Sequence, residues 1–160
     1  MDVSLLAVGR LKAGPERDLC ERYLERARKV GPKLGLRGFL VDEIAEARGT
    51  RAPDRIATEG SALSARLVGS DRIVCLDATG ELIDSEGFAA ALTRGAAASI
   101  ARTVFVIGGP DGLDREILAK SHRRVSFGRM TLPHQLVRVM LAEQLYRATT
   151  MLSGHPYHRA

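Results

Sequence analysis

Four apolar residues in a row, Val104-Phe105-Val106-Ile107, run directly into Gly108-Gly109-Pro110-Asp111-Gly112. A half-buried strand alternates apolar and polar side chains. One that does not alternate is covered on both faces, which requires a largely parallel sheet with helices on either side. The rest of the chain supplies partners in alternation. Val3–Val8 reads as a buried first strand, Leu36–Ile44 as a second, and Arg72–Leu76 as a third that ends in a turn at Asp77–Gly80. Thr103–Ile107 is the fourth, and Arg124–Phe127 a short fifth. Pro15 opens a helix to about Lys29, ended by Gly31-Pro32, and a second helix covers about Asp54–Leu67. Ser85 caps a third helix to about Ala97, and Asp114 starts a short fourth. Pro133 sits at the first turn of a long fifth helix to about Leu152. The order predicts an α/β fold, a mostly parallel sheet flanked by helices. With no repeat, linker or low-complexity segment, residues 1–160 read as a single domain, long enough for a proper core.

Composition adds constraints. Hydrophobic residues make up 45% and charged residues 27%, ordinary for a soluble globular protein. No apolar run is long enough to span a bilayer and the N-terminus lacks a secretory pattern, so a cytoplasmic protein without membrane association is expected. Cys20 and Cys75 have no metal or redox spacing and read as reduced, structural residues. Residues 1–101 carry 15 Lys/Arg and 15 Asp/Glu; residues 102–160 carry 9 and 4, so the whole net charge of +5 lies in the second part. All four histidines (His122, His134, His155 and His158) lie there too. Such asymmetry points to a polyanion partner. Arginine accounts for 20 of the 24 basic residues, which fits phosphate recognition and, equally, a compositional bias.

Ligands of open parallel sheets bind beyond the carboxyl ends of the strands. Three strand ends are therefore candidates: Leu76–Gly80, Ile107–Gly112 and Phe127–Leu132. Gly108 and Gly109 allow close backbone approach, although a glycine-rich segment is also simply a tight turn. A dinucleotide fingerprint, a phosphate loop and a nucleophile elbow are all absent from the sequence, and His155-Pro156-Tyr157-His158 has no supporting metal ligand, so no metal is expected. The last helix is apolar nearly all round. It serves either as a central core helix or as one that packs on its own sheet and on a second subunit. Arg147 near its end faces a site or is salt-bridged. The tail, Ser153 to Ala160, holds two His, a Tyr and an Arg within five positions; it reads either as a frayed terminus or as a source of a base-stacking ring, an anion clamp and a proton acceptor.

Four segments in this order carry a resemblance: Val106-Ile107-Gly108-Gly109-Pro110-Asp111-Gly112-Leu113, Thr131-Leu132-Pro133-His134-Gln135-Leu136-Val137-Arg138, Glu143-Gln144-Leu145-Tyr146-Arg147-Ala148, and His155-Pro156-Tyr157-His158-Arg159. The pattern resembles the ribosomal RNA large-subunit pseudouridine N3-methyltransferases of the SPOUT class. It implies a C-terminal trefoil knot, a homodimer, S-adenosylmethionine as cofactor, and methylation of N3 of a pseudouridine in large-subunit (23S) RNA on the assembled ribosome. The cofactor pocket it implies is Leu76, Gly108 and the segment Phe127, Gly128, Arg129, Met130, Thr131, Leu132. His158 would accept the N3 proton, with Tyr157 as alternative or orienting group, and Arg159 and Arg147 would stabilise developing oxyanion charge. His134 goes with the helix start. The chain departs from the family pattern at Glu81, where Lys is common, and near Gly128-Arg129. Two other readings are a SPOUT methyltransferase acting on transfer RNA and a non-enzymatic ribosome- or RNA-binding factor.

Overall fold

A computed structural model describes residues 1–70 and 72–157. The central strands are the ones without alternation. β1 (Asp2–Val8) and β4 (Arg102–Ile107) lie side by side, flanked by β2 (Arg37–Ile44) and β3 (Arg72–Leu82), with β5 (Arg123–Ser126) at the edge. The order is β2-β1-β4-β3-β5, and every pairing is parallel. Both faces are covered, as an all-parallel sheet requires. Leu5, Ala7, Val74, Leu76, Phe105 and Ile107 point to one face, packed under helices α1 (Pro15–Val30), α3 (Ser85–Ala97) and α5 (His134–Leu152). Leu6, Val8, Ile73, Cys75, Val104 and Val106 point to the other, under α2 (Ala52–Leu67) and α4 (Arg115–Lys120). This is the period-2 alternation of strands, apolar on both sides.

The helices follow local rules. Pro15 occupies the first turn of α1, where its missing N–H costs nothing, and Cys20, Leu24 and Ala27 form its buried stripe at helical spacing. Asp84, rather than Ser85, caps α3: its carboxylate accepts from the Gly87 N–H at 2.7 Å, and Ser85 is already helical. Asp114 caps α4 in the same way through the Glu116 N–H. Cys20 and Cys75 are free and buried, as the sequence implies, and burial pushes each thiol up to about 11. Neither should react with a disulfide reagent at about pH 8 until denaturant is added; stoichiometric labelling of the native protein would contradict their burial.

One difference from the sequence reading bears on the site. The third strand does not end at Leu76. Leu76 and Glu81 both pair with Val125, so Asp77–Gly80 loops out of the ladder and β3 resumes to Leu82. Gly80 permits this: a Cβ there would lie 2.8 Å from the backbone of Arg124 and Val125. Glu81 then holds Arg123 through two bonds of 2.9 Å, fastening the edge strand.

Candidate functional site

The carboxyl ends of β3, β4 and β5 open into a cleft of about 560 Å³. Its floor is the row Leu76, Ile107 and Val125, which the sheet register places side by side. One wall is Gly108 to Leu113; the other is the segment from Phe127 to His134, which returns from the edge strand across the sheet. The expected cofactor residues Leu76, Gly108, Phe127, Gly128, Met130, Thr131 and Leu132 all line it. Arg129 does not; its guanidinium turns to the Ala78 carbonyl at 3.1 Å and ties the second wall to the looped-out part of β3. Glu81 lies on the sheet edge rather than among the lining residues, so that departure from the family pattern changes a strand contact.

The lining has a definite chemistry. Its ionisable side chains, among the described residues, are Asp77 and His134, with no Lys or Arg. Such a surface suits a ligand with a neutral ring and a cationic centre, and it carries no Lys or Arg side chain for a polyphosphate. Gly108 can carry no side chain: a Cβ would sit 2.8 Å from the Gly112 carbonyl carbon and 3.0 Å from Leu113 Cγ. The turn closes through Gly112 N–H to the Gly109 carbonyl at 3.0 Å, with Gly112 at φ +88°. Buried Gly108 is therefore demanded by the packing of the turn itself, while Gly109 and Gly112 keep part of their surface open at the cleft wall.

Two bracing interactions escaped the sequence reading. Arg55 of α2 grips Asp111 bidentately, Nε to Oδ2 at 2.7 Å and Nη2 to Oδ1 at 3.0 Å, and holds the Asp111 carboxyl below the usual range. Arg138 of α5 is wholly buried; it pairs with Glu43 and donates to the carbonyls of Val8 and Gly9 at 3.0 Å each. The hint in the sequence was an arginine inside an apolar helix facing a Glu that ends a strand. His134 belongs to the helix start as expected, with Nε2 3.5 Å from Glu46 Oε1.

The tail residues gather elsewhere. Tyr157 folds back onto α5, its ring 4.7 Å from that of Tyr146 and its hydroxyl donating to Glu143 at 3.3 Å. Arg147 bonds the same carboxylate and stacks over Tyr157 at 5.1 Å. Tyr157 and Arg147 thus come together on Glu143, the first by a hydrogen bond and the second by a salt bridge, and neither lines the cleft of its own chain. His158 and Arg159 lie outside the described residues. Burial, then the Tyr23 hydroxyl, pushes the Tyr157 phenol from 10.0 up to about 12, so it is protonated near neutral pH and suits orienting rather than proton abstraction. Because folding raises this pKa, its contribution to stability is complete below pH 10 and is lost as pH climbs to about 12. Ultraviolet titration should reveal a tyrosinate step near pH 12 that Tyr157→Phe removes; loss of a step near pH 10 instead would place the phenol in water.

An all-parallel sheet covered on both faces, with a cleft at its strand ends, defines an α/β ligand-binding architecture, and the chain belongs to the SPOUT methyltransferase family, whose model, described as predicted SPOUT methyltransferase, matches residues 1–158. The chain is 54% identical to ribosomal RNA large subunit methyltransferase H of Rhodopseudomonas palustris (strain BisB18), over the full length of both. It is 49% identical to the protein of the same name from Bradyrhizobium sp. (strain ORS 278), covering all of this chain and 99% of that one. Among solved structures, a probable methyltransferase from Bordetella pertussis Tohama I superposes with a TM-score of 0.54 at 16% identity, covering 92% of this chain and 93% of that chain; this likeness concerns the fold alone.

Proposed function

We propose that this methyltransferase uses S-adenosylmethionine to methylate N3 of a pseudouridine in large-subunit (23S) ribosomal RNA on the assembled ribosome, as a cytoplasmic homodimer. The observation that carries the substrate is the full-length identity with relatives named ribosomal RNA large subunit methyltransferase H. The cofactor reading is supported by the cleft, since an apolar floor of Leu76, Ile107 and Val125 and a lining without Lys or Arg suit an adenine and a sulfonium. S-adenosylmethionine supplies an activated methyl group when bound. Leu76, Gly108 and the Phe127 to Leu132 segment hold it and keep water out, with Arg129 acting from behind through Ala78. His158 takes the N3 proton as the nitrogen attacks, Tyr157 orients it, and Arg159 and Arg147 offset charge on the neighbouring carbonyl oxygen.

The tail and the cleft of one chain are separate, so this reading pairs the cleft of one protomer with the tail of the other. An apolar groove beside α5, lined by Leu19, Tyr23, Leu82, Phe127 and Met140, supports burial against a second copy. The trefoil knot belongs to the same reading: residues 127–134 run from edge strand β5 to Gly9 beside β1, the course a threaded terminus needs. Residues 1–160 act as one domain.

Labelled cofactor offered to undermodified ribosomes, free large subunits and transfer RNA tests the substrate. Label in ribosomal RNA is expected; label only in transfer RNA would overturn the proposal, and no heat on titration with S-adenosylmethionine would favour a non-enzymatic RNA-binding factor. His158→Ala should lower turnover by at least 100-fold while cofactor affinity stays within about twofold. Mixing His158→Ala protein with a cleft variant should restore activity, because mixed dimers contain one intact composite site. Absence of complementation would place tail and cleft of the same chain together.

A further inference from the structure

The surplus of positive charge after residue 101 is smaller in the folded molecule than in the sequence. Arg138 is buried against Glu43, Arg123 is held by Glu81, and Arg147 by Glu143. Three of the nine basic residues of that part are thus committed internally. The formally neutral first part compensates. Its β1–α1 loop carries Arg10 and Lys12 and its β2–α2 loop carries Arg48, all exposed and without an acidic partner among the described residues.

Both loops are fixed at the cleft. A Cβ on Gly9 would lie 2.7 Å from Glu46 Oε1 and 3.2 Å from His134 Nε2, so the two loops meet at His134, which lines the cleft. The Leu11 N–H donates to Glu43 at 2.9 Å, and Arg138 holds the Val8 and Gly9 carbonyls. Arg10 and Lys12 therefore flank an anchored residue. Arg48 sits between two more: Ala47 N–H donates to buried Glu59 at 2.9 Å, and the Gly49 carbonyl accepts from Arg55 at 2.8 Å. On the facing wall Arg129 is exposed and tethered to Ala78. The acids nearby each have a partner: Glu43 pairs with Arg138, Asp111 with Arg55, Asp77 accepts from the Thr79 N–H, and Glu46, half exposed, lies beside His134. Cations on braced backbone thus ring a cleft whose own lining has none.

We infer that Arg10, Lys12 and Arg48, together with Arg129, form a phosphate-docking rim that grips the RNA backbone on either side of the target nucleotide. The inference rests on the proposed RNA substrate. Positioning cations outside and a neutral pocket inside is the division of labour that lets backbone contacts set register while the base enters the cleft. The loops also explain how so small a chain extends its footprint beyond the reacting base: the second part builds the pocket and the first part supplies much of the grip.

The test is the triple variant R10A/K12A/R48A beside K29A/K33A, whose exposed lysines lie at the opposite end of the sheet. In methyl transfer to ribosomes, the triple variant should raise KM at least tenfold, with kcat and cofactor affinity within about twofold and the control unchanged. The salt dependence of binding should flatten, its log–log slope falling by about 2 for three lost single-strand phosphate contacts. Filter binding to a protein-free large-subunit RNA transcript should show the same flattening, and it reads the rim even if wild-type enzyme transfers no methyl to ribosomes, which would sink the activity instead. Unchanged KM and slope would overturn the rim. So would a loss confined to intact ribosomes, which would indicate a ribosomal protein surface, or an altered sedimentation coefficient, which would place these side chains between copies of the chain.

Discussion

Replacing Arg138 with Ala should lower the thermal midpoint by roughly 10 °C. The guanidinium is wholly buried and holds three acceptors at once: the Glu43 carboxylate and the carbonyls of Val8 and Gly9. Its own pKa is lowered, first by desolvation and only partly offset by Glu43, so the pair is no simple gain in electrostatic energy. The loss on truncation comes from what is left behind. A carboxylate and two carbonyls lose their donor near the end of β1, and breaking a buried pair of this kind costs about 3–5 kcal/mol. Glu43 is 27% exposed, so water can recover part of its solvation, and about 3 kcal/mol is the better figure. At about 3 °C per kcal/mol for a chain of this size, the shift is roughly 10 °C. Arg138→Met fills most of the volume and should fare little better, because the acceptors remain unserved. Arg138→Met with Glu43→Gln should lose less than the two single changes added together, since the second removes the stranded charge. Additive losses would show that the two side chains do not act on each other. Calorimetric unfolding measures all of these.

The residues most legible in the sequence were those governed by a single short-range rule. Unbroken apolar runs fixed β1 and β4 in the middle of the sheet, and Pro15 and Asp114 marked helix starts that the structure reproduces. The cleft was legible for the same reason: ligands gather at the carboxyl ends of parallel strands, and the three ends named from sequence are the three that line it. What escaped depends on contacts between distant segments. Nothing local separates a strand that ends at Leu76 from one that loops out over Asp77–Gly80 and resumes against the same Val125. Arg55 and Asp111 are 56 residues apart, and Arg138 and Glu43 are 95 apart, so neither pair has a spacing signature. The charge count pointed to a polyanion, and it located the surplus along the chain but not in space. It registered a basic second part, whereas folding neutralises several of those arginines and brings cations of the first part to the cleft.

The largest loss of cofactor affinity is expected from one methyl group at Gly108. Gly108→Ala would bring a Cβ to 2.8 Å and 2.9 Å from the Gly112 carbonyl carbon and oxygen, contacts with backbone that no rotamer change relieves. The turn must open, breaking the 3.0 Å bond between Gly112 N–H and the Gly109 carbonyl and moving the wall of the proposed cofactor cleft. A loss of about 2 kcal/mol in binding corresponds to roughly 30-fold weaker cofactor affinity. Methyl transfer at subsaturating cofactor should fall by at least as much. The effect should be separable from stability by comparison with Gly35→Ala. Gly35 has φ +72° and nothing within 4 Å of its Cβ position, at the opposite end of the sheet. That variant carries only the strain of a left-handed residue, about 1 kcal/mol, and should lose a few degrees of thermal stability with cofactor affinity intact. Titration calorimetry with S-adenosylmethionine and thermal unfolding, run on both variants, separate the two outcomes. Equal affinities for Gly108→Ala and wild type would move the cofactor out of this cleft, and with it the requirement that the tail reach across from a second chain.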